Sequence, residues 1–490
     1  MVFSSLLFLY VFLPLQLIVY RFCKTVRSRN GCLLIFSLLF YSWTGPKYVL
    51  LLLVMVLIHY GCSNLMGTES LGRKRFFLIL GIGGSLVLLG YFKYAEMICR
   101  MFQVVLGDSV GIVEVALPVG ISFYTFQLIS YLVDVYRGEV EAQRNYFTLL
   151  LYASLYHQCI AGPIVRYRDV EEEIRCRRLT PEEVSDGISR FTVGLAKKTL
   201  LANTCAALAS SFAAETAAAI GQADMAALWL SNLMYMLEIY LDFSAYSDMA
   251  IGLGLMSGFH YKENFNYPYM ADSITDFWRR WHMSLSSFFR DYVYIPLGGN
   301  RKGAGRQIFN MFVVWGLTGL WHGAHWNFVV WGLYFFCFLT LEKTVFQNLW
   351  KHMPGAAEAV LRRIYALLVI FFGWVIFRFS DAELMFASLK GLLGAGAGGF
   401  CSMETWFLLL NNVIFILAAV IACTPAAGIV LEEIQIRMHR LMRKRSVKMP
   451  QFLLVKLYSA GVVALPVVLL FLSTIALAGN SFNPFLYFQF

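Results

Sequence analysis

A chain of 490 residues that is 59% hydrophobic and only 14% charged, with a mean hydropathy of +0.63, does not read as a soluble globular protein, in which about a quarter of residues are charged. The net charge of +10 would suit a nucleic-acid partner, but much of the excess sits in short loops beside apolar runs, where it sets membrane orientation instead. Ten cysteines form no CxxC pair and no metal-ligand spacing, so they read as small buried hydrophobes. What remains is a multi-pass integral membrane protein embedded in lipid.

The first apolar run, Phe3 to Tyr20, has no basic residue ahead of it and no small-residue cleavage site behind it; Arg21, Lys24, Arg27 and Arg29 follow. That pattern predicts a retained helix with its N-terminus outside, not a cleaved signal peptide. Residues 31–44 and 47–65 are two apolar runs divided by a turn at Gly45-Pro46. A span is expected from Phe76 to about Phe92, with residues 93–113 interfacial. Leu117–Tyr124 opens the next span, which ends near Gly138, and another runs from Tyr146 to about Gly162-Pro163.

Residues 166–188, with Glu171, Glu172 and Glu173 between arginines, predict a solvated loop or surface helix. A weaker apolar segment at 190–212 carries Lys197 and Lys198. The run from Ala226 to Gly258 exceeds one span and holds Asp242 and Asp248, six residues apart. On one straight helix these would not share a face, so a broken or tilted helix, or one lining a wet cavity, is expected. Further spans are expected at 325–343, 361–379, 404–425 and 452–479. The loop from Arg437 to Lys448 is basic without an acid, which puts it in the cytoplasm and the C-terminus outside. One membrane domain, 1–490, with about 11–13 helices or half-helices follows from the span rule.

Ionisable groups inside such a chain mark function by default. His322 follows Gly316 and Gly319, small residues that let helices approach closely. A neutral histidine there suits proton transfer with a hydroxyl; a core histidine bonded to a carbonyl is the alternative. His322 and His325 would share a face if helical, yet no carboxylate or cysteine lies nearby in sequence, so no metal is expected. The segment from Asp272 to Leu285 interleaves Asp276, Trp278, Arg279, Arg280, Trp281 and His282, as an amphipathic interfacial helix would. Arg279 and Arg280 are candidates for a phosphate-bearing ligand, or anchor lipid headgroups. Gly298–Gly303 lacks P-loop spacing and reads as a surface turn.

Taken together, Trp278-Arg279-Arg280-Trp281-His282-Met283-Ser284-Leu285, Arg290–Asn300 and Leu320-Trp321-His322-Gly323-Ala324, supported by Pro118–Phe126, Ala161–Arg166 and Tyr240–Asp248, resemble the membrane-bound O-acyltransferase family, and within it the bacterial alginate O-acetyltransferase branch. The resemblance implies an all-α helical funnel with a tunnel through the membrane and a catalytic core over 115–345. It places the near-invariant family histidine at His322, with His282 where eukaryotic relatives often carry asparagine. Trp278, Arg279, Arg280, Trp281, Asp291, Tyr240, Asp242, Ser244, Asp248 and Trp321 are then expected to support the donor tunnel. It further implies acetyl-CoA as donor substrate with no tightly bound cofactor, and a bacterial inner-membrane location. The expected partners are an SGNH-hydrolase-like protein, secreted or membrane-anchored, and an exported polysaccharide. D-alanyl or lipid O-acylation stays open within the family. A proton- or ion-coupled transporter stays open outside it, although no inverted repeat is visible.

Overall fold

Backbone polar groups in lipid must be satisfied within the segment, which leaves helices as the spanning element for a chain patterned like this one. The structure, a computed structural model, describes all residues except 44, 68–69, 108–110, 114, 161, 351–352, 354, 397, 443–448, 480–484 and 486–490. Every regular element among the described residues is helical. Among the described residues, six helices are long and apolar enough to cross a membrane.

A π-helical turn at Phe8–Phe12 leads into α1 (Leu13–Phe22), and α2 (Val26–Ser42) is followed by α3 (Pro46–Leu65). The polar start of α2 is helical because Thr25 and Ser28 form a capping box, which lengthens the run expected from residue 31. Next comes α4 (Leu71–Leu106), one unbroken helix of 36 residues. At 1.5 Å per residue it measures about 54 Å, longer than the hydrocarbon core. Residues 93–106, expected to be interfacial, are therefore the helix's continuation, held in part by a Glu96–Arg100 pair at 2.8 Å. After α5 (Ile121–Arg137), α6 (Tyr146–Ser154) stops short of the expected Gly162-Pro163, and the chain turns back inside the protein.

The charged stretch forms α7 (Tyr167–Arg175) and the start of α8 (Pro181–Ala196), which continues through a π-helical turn into α9 (Asn203–Phe212). A short α10 (Ala217–Gln222) precedes α11 (Met225–Ser257), which is continuous through both aspartates, not broken. Gly187 of α8 and Gly252 of α11 lie so close that a Cβ on Gly187 would come within 2.7 Å of the Gly252 carbonyl. That contact lets Lys198 reach Asp242 at 2.6 Å, and Lys197 and Arg190 reach Asp248 at 2.5 and 2.7 Å.

Beyond it the expected interfacial helix is two short helices, α12 (Ile274–Arg280) and α13 (Met283–Phe289). Then follow α14 (Ala304–His322), α15 (Trp326–Leu341), α16 (Gln347–Trp350), α17 (Gly355–Arg378), α18 (Ala382–Leu392), α19 (Met403–Ala422), α20 (Ala426–Met442) and α21 (Met449–Gly479). Arg437 and Arg440, expected in a loop, sit on α20; 443–448 lie outside the described residues.

Side-chain bonds define two faces. Arg166 to Asp291, Lys262 to Asp169 and His260 to Glu173 tie together α7 and the ends of α11 and α13. Lys93 to the end of α14, Arg378 to Glu215 and Ser402 to Asp224 tie the other. We call the first the basic face. Two apolar cores fill the interior. One holds Trp321, Phe126 and Phe288, the other Trp278, Trp281 and Trp331. His282 and His322 lie where the two meet.

Candidate active site

Gly319 and Gly332 bring α14 and α15 together, since a Cβ on Gly332 would collide with the Trp315 carbonyl. Gly316 has open space around it and takes no part in this contact. The helix α14 ends at His322 because Gly323 is extended. His322 is buried, with Trp331 edge-on at 4.9 Å and Phe377 at 5.1 Å from its ring. Its Nδ1 is buried without a hydrogen-bond partner. The ring borders a cavity of about 100 Å³ with Lys93, Gly120 and Phe123. Lys93 and Leu117 also line a second cavity, of about 400 Å³, that extends past Asn327 and Arg378 toward the face opposite the basic one.

His282 owes its position to a break. Trp281 is extended and His282 is left-handed, at φ 43° and ψ 54°, which interrupts α12 before α13. A non-glycine residue in that region is uncommon and marks a held conformation. The hold is Asn264. Its Oδ1 accepts from the Ser284 backbone N–H at 3.2 Å and the Ser284 hydroxyl at 2.8 Å, and lies 3.2 Å from His282 Nδ1. A backbone N–H can only donate, so the Asn264 oxygen is an acceptor and His282 Nδ1 carries the proton. His282 Nε2 then keeps its lone pair, buried and without a partner. Phe243 stands edge-on to this ring at 4.7 Å.

Trp321 packs near both imidazoles, 5.0 Å from His322 and 5.9 Å from His282 between ring centroids. Ser284, which touches His282, also lines a third cavity of about 350 Å³ at the basic face, with Met283, Arg166, Arg290 and Asp291. His322 thus lines a cavity itself, whereas His282 is linked to the basic-face cavity through Ser284.

Other candidates are placed differently. Trp278 and Trp281 are buried, not interfacial anchors; Trp278 packs on Trp315 at 4.7 Å and Trp281 on Trp374 at 4.7 Å. Tyr240 packs against Trp281 and Tyr269. Arg280 is tied to Asp276 at 2.8 Å and Arg279 is exposed; neither lines the three cavities. Asp242, Asp248 and Ser244 face the α8 side or their own helix, and they too lie outside those linings. His325 starts α15 and is exposed, so it shares no helix face with His322. Asp291 does reach the basic cavity, bridged to Arg166 at 2.8 Å and Arg290 at 2.7 Å. Lys93, Asn264 and Phe243 were not singled out by sequence. For Lys93 the available signal was a lone cation at the edge of an apolar run.

Two buried imidazoles, one with an assigned free lone pair, can accept and return a proton. Residues 140–380 match the membrane-bound O-acyltransferase family. The chain is 36% identical over 508 residues to "Probable alginate O-acetylase AlgI" of Pseudomonas putida, covering all of both chains. It is 32% identical to "Peptidoglycan O-acetyltransferase" of Helicobacter pylori over 82% of each. "Teichoic acid D-alanyltransferase" of Bacillus subtilis is 28% identical, over 53% of this chain and 68% of that one. The chain belongs to the membrane-bound O-acyltransferase family and is a multi-pass membrane O-acyltransferase.

Proposed function

We propose that the protein takes acetyl from acetyl-CoA at the basic, cytoplasmic face and passes it across a bacterial inner membrane to an acceptor at the other face. That acceptor is an exported polysaccharide, reached through an SGNH-hydrolase-like partner. The observation that carries this reading is the pair of histidines packed near one tryptophan, Trp321, with His322 lining one cavity and Ser284, the neighbour of His282, lining another at the basic face. A thioester entering past Ser284 meets His282 first, and a hydroxyl entering past Lys93 meets His322 first.

His322 then acts as general base. It removes the hydroxyl proton as the acceptor oxygen attacks the thioester carbonyl carbon. The tetrahedral adduct collapses with cleavage of the carbon–sulfur bond, and the proton returns to the departing thiolate. Aromatic walls around His322 keep water from competing for the acyl group. The donor's phosphates are assigned to the mouth lined by Arg166, Arg168, Lys262 and Arg290, with Asp169, Glu263 and Asp291 among them. This differs from the expectation that Arg279 and Arg280 receive them. The same topology puts both termini outside the cytoplasm.

The test is vectorial. In proteoliposomes of known orientation, labelled acetyl-CoA is supplied at the basic face, and the SGNH-like partner with polysaccharide at the other. Label should appear on the acceptor only in that arrangement. Transfer from an acylated carrier protein but not from acetyl-CoA would overturn the donor assignment and favour D-alanyl-type chemistry. Proton flux without transfer would favour the transporter reading.

A further inference from the structure

The last four carbonyls of a helix have no partner within it and must be satisfied from elsewhere. At the end of α14 two consecutive residues of α4 take this role. The Tyr94 hydroxyl donates to the Leu320 carbonyl at 2.5 Å. The Lys93 ammonium donates to the Trp321 carbonyl, and to that of His322 at 3.2 Å. A cation at a helix C-terminus is favoured by the helix dipole as well. No carboxylate of the described residues is ion-paired with Lys93, whereas Arg378 in the neighbouring cavity pairs with Glu215. The ammonium also lies 5.9 Å from the Trp321 ring centre and lines both cavities on the His322 side.

We propose that Lys93 is a positioning residue for acyl transfer: with Tyr94 it clamps the terminal turn of α14, and so fixes the His322 imidazole beside the acceptor-side cavity. This rests on the reading of His322 as the base. The clamp answers a specific structural need. Gly323 is extended, so α14 lacks the left-handed glycine that often closes a helix end. The His322 ring itself packs on Trp331 and Phe377 and has no hydrogen bond at Nδ1 to orient it. Its aim is therefore set by its backbone and by packing, and the backbone is held by α4.

Wild type, Lys93→Met, Lys93→Arg and Tyr94→Phe are compared in proteoliposomes. Acetyl-transfer kcat and KM are measured, together with hydrogen exchange over residues 318–324. Displacement of a reacting group by about 1 Å costs about 10²-fold. Lys93→Met is therefore expected to lose about that factor in kcat, with KM for acetyl-CoA within about twofold. Lys93→Arg should restore most of it, and exchange over 318–324 should quicken in Lys93→Met and Tyr94→Phe. Wild-type kcat in Lys93→Met, or an arginine variant no better than the methionine one, would overturn the proposal. If Lys93→Met does not fold, Tyr94→Phe decides: unchanged kcat and unchanged exchange would refute the clamp. If wild type itself transfers no acetyl, the acetyl-CoA reading fails, and exchange alone decides whether α4 holds the turn.

Discussion

The seam between α8 and α11 and the junction around His282 and His322 are both deeply buried and both hold titratable groups, yet they are built oppositely. In the seam charges are answered: Lys198 meets Asp242, and Asp248 meets both Lys197 and Arg190. At the junction the imidazoles are surrounded by rings, and His322 Nδ1 and His282 Nε2 have no hydrogen-bond partner. Burying a polar atom without a partner costs stability, so such atoms persist where a substrate completes the set. Buried charge alone does not mark the active site here. What supports the proposed site at His322 is incomplete buried polarity on a residue that also lines a cavity.

The comparison breaks most sharply at His322. His322→Ala is expected to lower acyl transfer by about 10²–10⁴-fold, the range for a general base, while thermal stability in detergent changes little. Full activity in a folded His322→Ala protein would reduce this histidine to a packing residue. Asp242→Asn should do the reverse. It strands the Lys198 ammonium and is expected to cost about 3–5 kcal/mol of stability, with transfer per folded molecule close to wild type. Replacing both partners, Lys198→Met with Asp242→Leu, should recover most of that loss, because the pair's desolvation is then avoided. A folded Asp242→Asn protein with no transfer would move the seam into the catalytic machinery.

Between these lies Asn264→Ala, which removes the acceptor shared by His282 and Ser284. About tenfold loss of kcat, equivalent to about 1.4 kcal/mol in the barrier, is expected. Asn264→Asp keeps the acceptor oxygen and should retain more activity than alanine. Equal losses in the two variants would mean that the tautomer of His282 is irrelevant.

Much of this was legible in the chain. The apolar runs predicted the spans of α15, α17, α19 and α21, and the motifs around His282 and His322 predicted the two histidines that the fold brings to one tryptophan. What was lost in sequence is what depends on partners distant along it. Asp242 and Asp248 looked ill-suited to one helix because periodicity considers a helix alone, whereas the π-helical turn after α8 supplies lysines that reach both. Tryptophans at 278 and 281 read as interfacial anchors because pattern does not reveal that Trp281–His282 turns the chain inward. Lys93 looked like the polar end of a span; α4 continues past it, and its target, the end of α14, lies 228 residues away.

The smallest expected effect concerns the basic face itself. His260 lies in the loop after α11, with Nδ1 2.8 Å from Glu173 and Nε2 3.2 Å from Glu183, and its ring is about half exposed. The hydrogen bond to Glu173, reinforced by the charges of both carboxylates, holds its pKa above the ordinary 6.5. A raised pKa means that the charged form is favoured in the folded state. The stabilisation is then complete below about pH 6.5, the unfolded value. It is lost as pH rises through the higher folded value. Glu183 behaves oppositely: the Thr180 backbone N–H that it accepts lowers its pKa, so its contribution is present above about pH 4.3 and constant through neutrality. Solvent screens a bridge this exposed, so the expected change is a slight fall in melting temperature on raising the pH from about 6 to about 9. That fall should be absent in His260→Gln. A pH dependence that survives the substitution would place the titrating group elsewhere, and the bridge would then contribute nothing to holding α7, α8 and the loop after α11 together at the basic face.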